Sequence, residues 1–221
     1  MTSYVALIGD IIQSKQVADR SQLQESINNA FETIHERYPD LIQSKFTLTL
    51  GDEFQALLTP SKTIFQMLDY LEMLIPVSFR FGLGYGTLTT DFNKDVSIGA
   101  DGPAYWHARE AIDIIHDQNW SGKTKGYVVT KDDKFDRTIN NLLLLSDTLK
   151  DGWTDLQRKT FEQMLSKEIY TADFNQKEFA DELGISASSL SKRLNVGNIK
   201  IYLHSRNTMG YLLEEFGETN E

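Results

Sequence analysis

The segment Phe46–Leu58 constrains this chain more than any other. Phe46-Thr47-Leu48-Thr49-Leu50 and Phe54-Gln55-Ala56-Leu57-Leu58 flank a tip of Gly51-Asp52-Glu53. Apolar and β-branched residues on both sides of a Gly-Asp tip predict two short strands joined by a tight turn, largely buried. Carboxylates at the mouth of a buried hairpin are costly unless something cationic meets them. A further acid, Asp10, directly follows the apolar run Tyr4-Val5-Ala6-Leu7-Ile8 and reads as the end of another strand. If the strands are neighbours, Asp10 converges with Asp52 and Glu53. Such a hard-oxygen site suits Mg²⁺ or Mn²⁺ and the phosphates that travel with it. The alternative is that Asp52 and Glu53 simply serve the turn, as Gly-Asp pairs often do.

The 221 residues suffice for one large domain or two small ones. There is no cysteine, so thiolate metal sites, disulfides and Cys nucleophiles are excluded, and a reducing compartment fits. No run approaches the ~18 apolar residues of a membrane span, and the expectation is a cytoplasmic protein without membrane contact. The net charge of −10 argues against a general nucleic-acid coat. Gly184 to Leu213 reverses that trend, with Lys192, Arg193, Lys200 and Arg206 and no acid.

Periodicity gives a first strand at about 3–10 and a polar loop through Lys15 to Arg20. An amphipathic helix follows on Leu23, Ile27, Ala30, Phe31, Ile34 and Tyr38, ended by Pro39. After the hairpin, Ser61 reads as the N-cap of a helix reaching Leu74. Val77 to Gly86 is an alternating strand, Tyr105 to His116 a helix, and Tyr127 to Thr130 a last short strand. This order predicts an α+β fold, a two-layer sandwich with its helices on one face. Beyond Asp136 the pattern is helical only. The division falls in the polar stretch near Asp147, giving an α/β domain over 1–147 and a small all-α domain over 148–221.

Within that pattern, Asp10-Ile11, Gly51-Asp52-Glu53-Phe54, Arg80-Phe81-Gly82-Leu83-Gly84 and Ala108-Arg109 resemble the palm domains of nucleotidyl cyclases. The hairpin is similar both to the Gly-Asp of class III cyclases and to the GGDEF signature of diguanylate cyclases. Two positions depart from those patterns: Leu50 replaces the first glycine of the signature, and Tyr105 stands where class III cyclases have an Asn four residues before their Arg. Gly-Asp-Ile-Ile, Leu-Gly-Asp-Glu-Phe-Gln, Gly-Ala-Asp-Gly-Pro-Ala-Tyr and Ala-Arg-Glu-Ala together resemble the SatD family of bacteria over nearly the whole chain. The cyclase resemblance implies a ferredoxin-like palm with Asp10, Asp52 and Glu53 at the metal. It further implies Gly51 beside the ligand and Arg109 neutralising charge on the phosphoryl oxygens.

Other motifs are less specific. Gly82, Gly84 and Gly86 share one strand face, either as the floor for a flat ligand or as the seat of a closely packed helix. Gly99 and Gly102, in the loop Gly99-Ala100-Asp101-Gly102-Pro103, precede a helix and are candidates for binding an anion through free N–H groups. Asp101 alternatively helps to start that helix. Ser121-Gly122-Lys123-Thr124 lacks the earlier glycine of a phosphate loop, since Asp117 stands there, and reads as a surface loop. His107 is equally compatible with a structural hydrogen bond and with catalysis. His116 has no ligand-like spacing. Trp106 and Trp120 read as packing residues rather than as platforms on which a base stacks.

Asn175 to Ser186 resembles the first helix and turn of a helix-turn-helix. Phe179, Ala180 and Leu183 form its inner face, Gly184 the turn and Ile185 the plug. Ser186 caps a second helix, Ala187 to Leu194. That helix directs Ser188 and Ser189 toward base edges and Lys192 and Arg193 toward phosphates. Acidic Asp181 and Glu182 leave open a helical interaction domain without DNA. The functional expectation is a DNA-binding regulatory protein, acting as a homodimer, whose cyclase-like domain binds a nucleotide or phosphate ligand with Mg²⁺. The alternatives are a metal-dependent nucleotidyl-transfer enzyme with a helical docking module, and a ligand-free interaction scaffold.

Overall fold

The computed structural model describes residues 2–12, 19–49, 52–118 and 120–220. Within them five strands form one sheet: β1 (Tyr4–Ile11), β2 (Ile42–Leu48), β3 (Glu53–Leu58), β4 (Phe79–Gly86) and β5 (Gly126–Val129). The order is β2-β3-β1-β4-β5, antiparallel throughout except for the parallel pair β4 and β5. The chain is thus a mixed α+β protein. Its helices are α1 (Arg20–Arg37), α2 (Ile64–Leu74), α3 (Pro103–Asp117), α4 (Asp133–Asp151), α5 (Asp155–Ser166), α6 (Gln176–Glu182), α7 (Ala187–Val196) and α8 (Ile199–Thr219).

The alternation of each strand sets the layers. Val5, Leu7, Phe54, Ala56, Leu58, Phe81 and Leu83 point to one face, where α1, α2, α4 and α8 cover them. The α1 stripe of Leu23, Ile27, Ala30, Phe31 and Ile34 is buried as its spacing requires. Asp19, outside the stripe, caps the helix by accepting from Gln22 N–H at 2.9 Å. For α2 the N-cap is Thr63 rather than Ser61, whose hydroxyl instead accepts from Thr63 N–H at 3.2 Å.

The opposite face corrects the expectation of two layers. Ala6, Ile8 and Leu57 pack there against Ala104, Tyr105, Ala108, Ile112 and Ile115 of α3, making a third layer. The glycines of β4 explain it. A Cβ on Gly84 would lie 2.1 Å from the carbonyl oxygen of Ala104, and one on Gly82 would lie 2.4 Å from that of Ala108. The glycine row is the seat of a helix backbone.

A second apolar core joins Trp153, just before α5, to Phe161, Met164, Phe179, Leu190, Leu194, Tyr202 and Leu203 of α5 to α8. The division at 147/148 falls inside α4. Moreover α8 serves both cores: Tyr202 and Leu203 lie in the second, Met209 and Leu213 in the first.

Between the cores lies an ionic network that the sequence did not announce. Asp69 of α2, 2 % exposed, accepts from Lys150 Nζ at 2.8 Å, from the Tyr202 hydroxyl at 2.5 Å and from the Tyr170 hydroxyl at 2.5 Å. Arg206 of α8 donates to Asp147 at 2.8 Å and to the Tyr202 hydroxyl at 2.8 Å. Lys150 also reaches Glu72 at 2.8 Å. The network pins α8 and the Tyr170 segment onto α2 and α4.

Candidate functional site

Register brings the acidic residues together. Asp10 pairs with Glu53 on one side and with Arg80 on the other, and all three are half-buried on the α3 face. Asp52 precedes β3, and its carbonyl accepts from Ile11 N–H at 3.0 Å. Gly51 lies outside the described residues. The cations that buried acids demand come from the chain itself. Arg109 of α3 forms a bidentate pair with Glu53, at 2.5 and 2.6 Å. Arg80 reaches Asp10 at 3.4 Å, and His116 Nε2 lies 3.5 Å from the same oxygen. Burial pushes the Asp10 carboxyl above the usual carboxylate range; Arg80 and His116 oppose that shift, while Asp52 and Glu53 add to it. The bond to Glu53 raises the Arg109 guanidinium above its ordinary value.

Among the described residues no group of three or more His, Asp or Glu is placed to hold a metal ion. The donor chemistry nonetheless fits a hard cation, because Asp10 and Glu53 are neighbouring carboxylates with Asp52 close enough to affect Asp10. A metal shared by Asp10 and Glu53 would have to exchange with Arg109 at Glu53.

Beside this cluster a pocket of about 480 Å³ opens between α3 and the sheet. Its floor includes Ile8 and Gln55, and α3 contributes Tyr105, Trp106, Arg109 and Asp113. Trp106, Arg109, Asp113 and His116 follow one another at steps of three, four and three along α3. That helical stripe was the available signal for Asp113 and His116, which residue-by-residue reading missed. His107 lies off it, with Nδ1 2.7 Å from the carbonyl of Tyr85.

The loop before α3 is tied down. Gly102 is the N-cap residue, and its N–H is taken by the Asp101 carboxylate at 2.9 Å. Gly99 is exposed at φ +91, with no atom within 4 Å of the Cβ position. Tyr105 is buried with its hydroxyl 2.7 Å from that of Ser97. Lys123 of the Ser121 to Thr124 loop pairs with Asp151 at 3.0 Å.

In the helical part, Gly184 adopts φ +64, the left-handed conformation that lets the chain turn between α6 and α7. Ile185 N–H bonds back to Ala180 at 3.0 Å, and Ser186 caps α7 by accepting from Ser189 N–H at 3.2 Å. Phe179, Ala180, Leu190 and Leu194 are buried. Ser188, Ser189 and Lys192 are exposed; Arg193 is half-buried and donates to Thr160 Oγ1 at 3.4 Å. A groove of about 300 Å³ between α5 and α7 is bordered by Gln157, Ser189, Lys192 and Arg193. Glu182 is held by Lys167 at 2.7 Å. The basic stretch is narrower on the surface than in sequence, because Arg206 is 3 % exposed and paired with Asp147. No helix among the described residues is long and apolar enough to cross a membrane.

Several solved structures are similar to the chain. One is a bacterial light-regulated adenylyl cyclase, 15% identical over 57% of this chain and 75% of its own, with a TM-score of 0.39. Another is a regulator of polyketide synthase expression from Bifidobacterium adolescentis, 12% identical over 98% of this chain and 86% of its own, with a TM-score of 0.25. No curated protein matches the chain. The sequence model of the SatD family matches residues 4–213, and the chain therefore belongs to the SatD family.

Proposed function

We propose that this protein is a DNA-binding regulator in which α6 and α7 form a helix-turn-helix. Its α/β part is a cyclase-like, ferredoxin-type palm that binds a nucleotide or related phosphate ligand with Mg²⁺. The observation that carries this reading is the outer side of α7. A capped helix behind a left-handed glycine turn exposes two serines and a lysine beside Arg193. Short polar side chains suit base edges and the cations suit phosphates. Two copies would present two such helices to successive turns of a duplex, which favours a homodimer. On the ligand side, Asp10, Asp52 and Glu53 would hold the metal, which neutralises phosphate charge when bound. Arg109 would then turn from Glu53 to the phosphates.

The test is anisotropy of the full chain with a fluorescent mixed-sequence duplex across a salt series. The double variant Lys192→Ala, Arg193→Ala should bind more weakly, with a slope of log K against log salt smaller by about 2. Unchanged binding and slope would remove α7 from the interface.

A second reading, metal-dependent nucleotidyl transfer, is favoured by the register of Asp10 with Glu53 beside Arg109 and the pocket. It predicts product from a nucleoside triphosphate with Mg²⁺ or Mn²⁺, and loss of that product in Asp10→Asn. Equal turnover in that variant would remove the metal mechanism.

A further inference from the structure

Trp106 departs from what packing alone requires. It is 54 % exposed at the rim of the pocket on α3, although its neighbours Tyr105 and Ala104 are buried. An exposed indole is usually free to change rotamer, but this one is held. Its Nε1–H donates to Asp101 Oδ1 at 2.7 Å. Asp101 is itself fixed: its backbone N–H donates to Thr90 Oγ1 at 2.8 Å, and its carbonyl accepts from Thr89 N–H at 2.8 Å. The same carboxylate takes the N–H of Gly102. The ring is therefore fixed in orientation while about half of it stays open to the solvent. Arg109, one turn further along α3, is the pocket's one lining cation among the described residues. It is paired with Glu53, and Glu110 and Asp113 also line the pocket, so an anionic group would enter with Mg²⁺ and take Arg109 from Glu53. A flat apolar surface at one end and a guanidinium at the other, separated by one helical turn, match a ligand with an aromatic ring and an anionic group. The volume of about 480 Å³ suits a small-molecule ligand.

We propose that Trp106 is the stacking platform for the base of a nucleotide in this pocket, with Arg109 as the anchor of its phosphates. This rests on the nucleotide reading above and adds the residue that distinguishes a nucleotide from a bare polyphosphate. Sequence-tolerant stacking follows, since every base has a face to offer and the indole makes no further hydrogen bond.

The experiment is calorimetric titration of the full chain with ATP, with GTP and with inorganic triphosphate, all in Mg²⁺. Wild type, Trp106→Ala and Trp106→Phe are compared. The expected result is a nucleotide affinity roughly 5- to 150-fold weaker in Trp106→Ala, from the usual worth of a stacked base. Trp106→Phe should recover most of it, and triphosphate affinity should be the same in all three proteins. Trp106 is half exposed, so the alanine variant should fold; its circular dichroism spectrum checks this. Nucleotide binding by Trp106→Ala equal to wild type would overturn the stacking role and leave the nucleotide reading intact. Equal affinity of wild type for nucleotide and triphosphate would do the same. Wild type that binds triphosphate alone would overturn the stacking role and reduce the reading above to a phosphate ligand; binding of none of the three would overturn both.

Discussion

Asp69→Ala removes the hub that joins the two cores. The Asp69 carboxylate accepts from Lys150, Tyr170 and Tyr202 and lies 3.7 Å from Arg206 Nε. Its side chain is 2 % exposed, so water cannot replace these bonds. The adjacent cations hold it ionised, keeping the Asp69 carboxyl below its usual range against the opposing effect of burial. Removing one member of such a network strands the others. The expected loss is about 3–5 kcal/mol, the range for breaking a buried ion pair from one side. For a chain of this size each kcal/mol moves Tm by about 2–4 °C, so the fall should be roughly 6 to 20 °C. Thermal and urea unfolding monitored by circular dichroism would measure it. Glu72→Ala is the internal control. Glu72 meets the same Lys150 Nζ at 2.8 Å, but its side chain is 44 % exposed, and the expected loss is under about 1 kcal/mol. If Asp69→Ala cost no more than Glu72→Ala, the network would not be what fixes α8 on α2.

Two further predictions concern burial. Burial pushes the Asp147 carboxyl up to about 6 despite Arg206, so the folded state binds its proton more tightly than the unfolded chain at 3.8. The stability Asp147 contributes is then present below about pH 4 and lost as pH rises through 6, by about 3 kcal/mol in total. Asp147→Asn should gain that much relative to wild type between pH 4 and 7. A difference curve of opposite sign would mean that Arg206 holds Asp147 ionised. Separately, Gly84→Ala would drive a Cβ to 2.2 Å from the Ala108 nitrogen as well as into the Ala104 carbonyl, and should lose about 1–3 kcal/mol or more in urea unfolding. Gly152→Ala, whose nearest neighbour is 3.5 Å away, should change little, and equal effects would refute the role given to the glycine row.

The parts of this molecule legible in the sequence are those set by short-range pattern. The α1 stripe, the flanks Phe46–Leu48 and Phe54–Leu58 and the Gly184 turn each depend on spacings of two to four residues, and the structure places them where those spacings require; Leu50 lies outside the described residues. The meeting of Asp10 with Glu53 was also legible, because Asp10 lies near the end of one apolar strand and Glu53 at the start of another. What answers their charge was not. In sequence Arg109 resembles a partner for phosphate, and in the structure it meets Glu53. The Asp69 network escaped altogether, since the hydrogen bonds to its two aspartates come from residues 59 to 133 positions away. Arg206 illustrates the same limit: in a stretch free of acids it reads as a surface cation, yet Asp147 draws it inside. The third layer was missed because a glycine row is equally compatible with a ligand floor and a helix seat until the packing of α3 is known. Trp106 reads as a packing residue because an indole is usually buried, whereas here Asp101 holds it open at a pocket.

DNA recognition by α7 is tested most directly by selecting bound duplexes from a random-sequence library with the full-length protein. The account predicts enrichment of a short motif, two-fold symmetric if the chain acts as a dimer. Ser188→Ala with Ser189→Ala should alter the motif, whereas Lys192→Ala with Arg193→Ala should lower recovery of all sequences alike. No enrichment, together with salt-independent or absent binding to every duplex, would contradict the account.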